Sequence, residues 1–256
     1  GLSRLAGDRT LRARLSGRVP MAFGVSGPLA TGLMPGNSVG RLISGARKAG
    51  ISIFDTGPSY GNGRAEHRLG AAIGNDADVF LMTKAGVHGG GRRDFSPDAI
   101  RASVAASAER LERRTIDLLW LHGAARHELT AELAATLQQL REEGRVASFG
   151  LAGRTDDVLA GDEYGLFEAA MLPVHQGLEE ADLDRVRQAK EAGRMVFAIE
   201  ALGGLKREPE LTPGTLWRFA KRVAGRGGKA GSLSSTPEAA FAWALQEGGA
   251  DIVVTS

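Results

Sequence analysis

Asp55, Tyr60, Lys84 and His122 are the residues whose types and spacing could do chemistry in this chain. Asp55 closes the apolar run Ile51-Ser52-Ile53-Phe54, and Tyr60 follows in the loop Thr56-Gly57-Pro58-Ser59-Tyr60-Gly61. Lys84 closes the next run, Val79-Phe80-Leu81-Met82-Thr83, and His122 the one after it, Ile116-Asp117-Leu118-Leu119-Trp120-Leu121. If those runs are neighbouring parallel strands, three titratable side chains share one sheet edge with a phenol above them. An ordinary tyrosine loses its proton near pH ~10, and an adjacent ammonium favours the phenolate. A carboxylate beside the lysine would keep it charged and fixed. The imidazole could hydrogen-bond a substrate oxygen placed between it and the phenol. Such a group moves a proton to or from an oxygen. With no metal and no covalent nucleophile, this suits carbonyl–alcohol interconversion, whose hydride must come from a cofactor.

The elements that would position these residues are legible in the pattern. Apolar runs alternate with Gly/Pro/Ser loops and helices of period near 3.6. Ser96-Pro97 reads as an N-cap and first-turn proline, with Ile100, Val104, Ala108 and Leu111 on one face. Thr130 opens a helix with Leu133, Leu137 and Leu140 inward and Gly144 as its stop, and a further helix carries Leu183, Val186 and Ala189 before Gly193. Thr212-Pro213 and Thr236-Pro237 repeat the start signal. Strands are expected near 20–25, 51–55, 78–84, 116–122, 146–151, 168–174, 195–200 and 251–256. The sixth is the least distinct, because Leu166 to Leu172 could equally end a helix.

Eight strand–helix units in 256 residues predict an α/β fold, a single-domain (β/α)8 barrel over 1–256, rather than a doubly wound sheet. No G-x-G-x-x-G opens the first helix, which argues against a Rossmann domain. Residues 1–18, arginine-rich and without an apolar core segment, read as a polar N-terminal extension with no export signal. Ser256 falls at the end of the eighth strand, so the helix that normally follows it is expected to be missing from the chain.

Composition narrows the function classes. A 43% hydrophobic content can fill a large core, and no stretch approaches the ~20 apolar residues of a membrane span, so a soluble protein is expected. The absence of cysteine excludes disulfides and thiolate sites and fits a cytoplasmic location. Net charge is only +2 without a basic, aromatic-interleaved patch, so nucleic acid is not an expected partner. The basic stretch Lys221 to Lys229 reads as a solvated helix end and loop, and Val87 to Arg93 as a flexible loop at the substrate mouth. Five histidines show no metal-ligand spacing. The three tryptophans, Trp120, Trp217 and Trp243, are expected between helices and barrel, although Trp217 could reach the substrate side. Oligomeric state is not readable.

Singly, each of the four residues has an ordinary reading: a strand-end lysine, a capping aspartate, a loop tyrosine, a satisfied core histidine. Together they match a family pattern. The segment Ile53 to Gly70, with Asp55-Thr56-Gly57-Pro58-Ser59-Tyr60-Gly61 inside it, resembles the aldo-keto reductase signature. Met82-Thr83-Lys84, Ile116 to His122, Arg141 to Gly150 and Thr236 to Leu245 resemble further stretches of that family, in order, and the signature is nearest to the bacterial aldo/keto reductase and sugar dehydrogenase branch. The resemblance implies a Tyr60 general acid/base, assisted by Asp55, Lys84 and His122. It also implies NADP(H) across the C-terminal face, with Gly24 near the nicotinamide ribose, Gln176 on the carboxamide, and Leu202 and Gly203 against the pyrophosphate. The expected activity is oxidoreduction of a small carbonyl compound or its alcohol. Ala152-Gly153 stand where the family usually has Ser-Asn, and Phe197 to Ala201 lack its stacking aromatic. The first departure keeps open an NADP(H)-binding sensor with little turnover. A non-redox barrel lyase using the same Tyr/Lys pair is a further alternative.

Overall fold

The apolar runs become eight strands: β1 (Met21–Gly24), β2 (Ile53–Asp55), β3 (Phe80–Ala85), β4 (Ile116–His122), β5 (Val146–Ala152), β6 (Phe167–Pro173), β7 (Met195–Ile199) and β8 (Ile252–Thr255). The structure, a computed structural model, describes residues 10–153, 163–203, 205, 209–225 and 236–255. Each strand pairs in parallel with the next, and β8 pairs with β1, giving a closed barrel. Parallel neighbours need crossovers. Those described are α2 (Gly36–Lys48), α3 (Arg64–Ile73), α4 (Pro97–Arg110), α5 (Ala131–Glu142), α6 (Glu180–Glu191), α7 (Pro213–Ala224) and α8 (Pro237–Gln246). The expected start signals work as N-caps. The hydroxyls of Ser96, Thr130, Thr212 and Thr236 accept from the amides of Ala99, Leu133, Thr215 and Ala239. The ambiguous sixth strand is a strand, because both its edges are hydrogen-bonded, to β5 and β7.

Strand alternation divides the core into two parts. Outward residues such as Phe23, Leu81, Leu119 and Phe149 pack under the helices. Inward residues such as Ile53, Phe80, Met82, Leu118 and Phe197 fill the barrel. Trp120 belongs to this second group, contrary to the expectation that it packs under a helix. It shares a strand face with Leu118 and His122 and meets Phe197 edge-on at 5.0 Å. Trp217 is 52% exposed on α7, beneath the Lys221 ammonium, and only Trp243 packs on the helix-side core as expected. The basic stretch expected as a loop lies, beyond Gly225, outside the described residues.

The N-terminal segment also differs from expectation where it is described. Residues Leu11–Leu15 form a short helix, α1, capped by Thr10. Leu11 and Leu15, one turn apart, join the core inside the barrel and close its lower end. Arg14 pairs with Asp117, and its guanidinium lies 5.0 Å from the Phe80 ring centre. Arg18 donates to Ser52 Oγ at 2.8 Å and to the Asp78 carbonyl at 2.6 Å. Two leucines among arginines look polar on average, yet their spacing puts both on one face.

Candidate active site

Barrel chemistry collects where strands end, because the following loops can face one another across the mouth. Asp55 is the last residue of β2, His122 the last of β4, and Lys84 the last but one of β3. Alternation turns Lys84 inward with Met82, and the structure brings it onto Asp55, Nζ to Oδ2 at 2.6 Å. The same ammonium donates to the Thr56 carbonyl at 2.8 Å. Thr56 is itself fixed, its hydroxyl donating to Val25 O at 3.0 Å and its amide to Met82 O at 3.2 Å. Tyr60 packs over the lysine, with Nζ 4.9 Å from the ring centre, and its ring lies 6.4 Å from that of His122. All four sequence candidates therefore meet. Gly57 is what lets them: a Cβ there would come within 3.1 Å of the Tyr60 ring and 3.5 Å of Lys84 Cδ. A Cβ at that position would crowd the Tyr60 ring, which would have to give by a few tenths of an ångström.

Burial sets the electrostatics. Lys84 is 3% exposed and Asp55 4%. Burial presses the lysine toward neutrality, but the Asp55 carboxylate and then Tyr60 outweigh it and hold Lys84 above its ordinary value. Burial likewise pushes Asp55 up, against the pull of Lys84. These two tendencies oppose each other across one bond. The second acceptor on Nζ, the Thr56 carbonyl, favours the ammonium, so the pair is ammonium and carboxylate. Asp55 Oδ1 is buried with no hydrogen-bond partner among the described residues.

His122 is lowered to about 4, by burial first and then by the cations Lys84 and Arg93. It is therefore neutral near pH 7 and offers a hydrogen bond rather than a charge. Its Nδ1 is sealed without a partner among the described residues. Because the unfolded chain takes up this proton near pH ~6.5, the folded form is disfavoured as pH falls through the interval down to about 4. The expected result is that His122→Gln loses less melting temperature than the parent between pH 7 and pH ~4.5. Equal losses would show that the imidazole is not held neutral.

The expected cofactor residues lie elsewhere on the mouth. Gly24 ends β1 opposite Asp55, but its amide already donates to Thr255 Oγ1 at 3.3 Å. Gln176 is half-buried in the turn after β6. Leu202 and Gly203 follow β7 and line a cavity of about 410 Å³ with Glu200, Phe219, Phe241 and Thr255. A Cβ on Gly203 would come within 2.6 Å of the His175 ring, so the turns bearing Gln176 and Gly203 abut through that imidazole. The family's Ser-Asn position carries only the Ala152 methyl, paired beside His122, and Gly153.

Sequence reasoning missed Thr56, Arg93 and Glu66. Arg93 donates to Gly123 O at 2.8 Å, just past His122, and pairs with Glu128 at 2.5 Å. The 87–93 loop, expected to be flexible, is pinned by this contact and by a bridge between Val87 and Arg93. Glu66 had a signal: it falls with Leu69, Gly70 and Ile73 on the inward stripe of α3, where a charge needs partners. No group of metal-ligating side chains occurs among the described residues, and no helix among them is long and apolar enough to cross a membrane.

Comparison with known proteins decides the family. A sequence model described as the aldo/keto reductase family matches residues 21–160, more than half of the 256. The chain belongs to this family. The match runs from β1 through β5 and includes the whole Asp55–Tyr60–Lys84–His122 cluster. Among curated relatives, this aldo/keto reductase is 34% identical over 176 residues to D-threo-aldose 1-dehydrogenase from Pseudomonas sp., covering 58% of this chain and 49% of that one. The matched stretch is thus about half the relative's length. Two solved structures share the fold. An aldo-keto reductase from Bacillus halodurans in holo form has a TM-score of 0.71 at 20% identity, covering 93% of this chain and 82% of the other. One from Klebsiella pneumoniae, in complex with NADP and acetate, has a TM-score of 0.65 at 17% identity, covering 76% and 69%.

Proposed function

We propose that this aldo/keto reductase interconverts a small carbonyl compound (an aldehyde, ketone or sugar) and its alcohol, with NADP(H) as hydride carrier. The observation that carries the reading is the buried Lys84 ammonium, pinned by Asp55 and Thr56 beneath the Tyr60 ring. In reduction, Tyr60 Oη gives its proton to the carbonyl oxygen, and the ammonium stabilises the phenolate left behind. In oxidation the phenolate takes that proton back. Asp55 keeps Lys84 charged throughout. The neutral His122 orients the reacting oxygen without competing for its proton. Arg93, 2.8 Å from the carbonyl next to His122, holds that rim in place.

A bound nicotinamide would supply the hydride that no side chain can. Two features fit it: Asp55 Oδ1, buried and without a hydrogen-bond partner among the described residues, which could accept from a ribose hydroxyl, and the 410 Å³ cavity between the ends of β7 and β8. Gly24, Asp55, Gln176, Leu202 and Gly203 are the residues that would hold it. The β5 side fits less well, since Ala152 and Gly153 have no side-chain donor; about 1 kcal/mol of binding is lost there per missing hydrogen bond. That gap is what favours the second reading, a sensor that binds the dinucleotide and turns over little. NADP(H) is preferred on the family resemblance and on the NADP complex of the Klebsiella neighbour. A sugar substrate is supported by the aldose dehydrogenase relative.

Titrating the protein with NADPH and NADH by tryptophan fluorescence, then following absorbance with aldehydes, ketones, aldoses and their alcohols, tests this directly. Binding with turnover is the expected outcome, tighter for NADPH. Binding without turnover on the whole panel would indicate the sensor, and no binding of either dinucleotide would end the redox reading.

A further inference from the structure

Glu66 is a fully buried carboxylate that the proton-transfer chemistry does not touch. It lies in the first turn of α3, only six residues after Tyr60. Both its oxygens are occupied. Oε1 accepts from the Thr83 hydroxyl at 2.6 Å, and Oε2 accepts from Arg110 Nε at 2.6 Å. Thr83 is itself completely buried and is the residue immediately before Lys84 on β3. Arg110, at the end of α4, also braces the tyrosine loop. A Cβ on Gly63 would come within 2.9 Å of Arg110 Cδ, and the φ of +86° there admits glycine readily. The loop joins α3 through backbone bonds, Gly63 N to Pro58 O at 2.9 Å, Arg64 N to Gly61 O at 3.2 Å and Ala65 N to Tyr60 O at 3.3 Å.

An isolated carboxylate is costly to bury, and a satisfied one is rigid, because every alternative position leaves it unpaired. We propose that Glu66 is a positioning residue: its carboxylate, held by Arg110, locks the Lys84 strand to the Tyr60 loop and so sets the spacing of phenol and ammonium. The strand reaches the clamp through the Thr83 hydroxyl, the loop through the start of α3 and Gly63. Lys84 points into the barrel and Thr83 out of it, so the catalytic face of β3 is fixed from behind. The inference rests on the reading of Tyr60 as proton carrier for its kinetic consequence, but the mechanical link stands apart from that reading.

Thr83→Val tests it, since it removes the hydroxyl at constant shape and leaves the Glu66–Arg110 pair intact, whereas Glu66→Gln risks the fold. Hydrogen exchange at the amides of Gly63, Arg64 and Ala65 should accelerate about tenfold, a loss of protection that reports local opening. With a substrate from the carbonyl panel, kcat should fall on the order of 10- to 100-fold, the cost of an ångström-scale misplacement. KM and dinucleotide affinity should stay within about twofold of the parent. Thr83→Ser should restore both exchange and kcat. Leu133→Ala, a core change on α5 away from the site, should lower the melting temperature without moving either. Unchanged exchange at residues 63–65, or an equal kcat loss in Leu133→Ala, would overturn the proposal. Faster exchange in a protein that turns over nothing on the panel would leave the clamp standing and remove the carbonyl reading instead.

Discussion

Replacing Tyr60 with phenylalanine is expected to lower kcat by on the order of 10²- to 10⁴-fold in both directions, the usual worth of a placed general acid/base. The ring is kept, so its packing on Gly57 and over Lys84 persists. Dinucleotide affinity should therefore remain within about twofold. Steady-state kinetics with a fluorescence titration separates the two quantities. Turnover retained in Tyr60→Phe would mean that the proton comes from elsewhere, and the mechanism would have to be abandoned.

Lys84→Met should produce a loss of similar size in kcat, together with a loss of stability. Removing the ammonium leaves Asp55 buried without its partner, which costs about 3–5 kcal/mol when one member of a buried pair is deleted. The pH dependence has a definite sign. Burial pushes Asp55 up, and without Lys84 the main opposing pull is gone. The folded variant then keeps a proton that the unfolded chain gives up above pH ~3.9, so its stability falls as pH rises past that point. Urea unfolding at pH ~4.5 and ~7.5 should show the deficit relative to the parent growing with pH. In Asp55→Leu/Lys84→Met, stability should recover while activity does not, because both unpaired charges are gone but so is the stabiliser of the phenolate. Persistent instability in the double variant would show that packing rather than charge was responsible for the single variant's loss.

The strand ends that carry Asp55, Lys84 and His122 were legible because each closes an apolar run, and runs separated by capped helices signal parallel strands. What the sequence could not convey is distance. That Nζ sits 2.6 Å from Asp55 and 2.8 Å from the Thr56 carbonyl follows from the register of β2 on β3, which no spacing along the chain specifies. Nor could it say that His122 stays neutral, since this depends first on how deeply the closed barrel mouth buries it, and only then on Lys84 and Arg93. Trp120 was misplaced for a related reason. A run buried on both faces shows no alternation, so inward and outward residues look alike until the barrel closes. Glu66 was different: its helical period marked it as buried, and only its polarity hid it.

The short helix under the barrel bears on how such a fold can be recombined. Arg14 on this helix pairs with Asp117 on β4 and Arg12 reaches Asp251 at 3.4 Å at the foot of β8, while Arg18, three residues past the helix end, holds Ser52 and the Asp78 carbonyl beside β2 and β3. The segment thus acts as a bolt through both halves of the barrel. A chimera that exchanges β5–β8 for another protein's half would keep the catalytic cluster intact yet shear the bolt at Asp251. In such hybrids the seam would be loosened at the end of the barrel farthest from the chemistry, by the modest worth of a partly exposed ion pair.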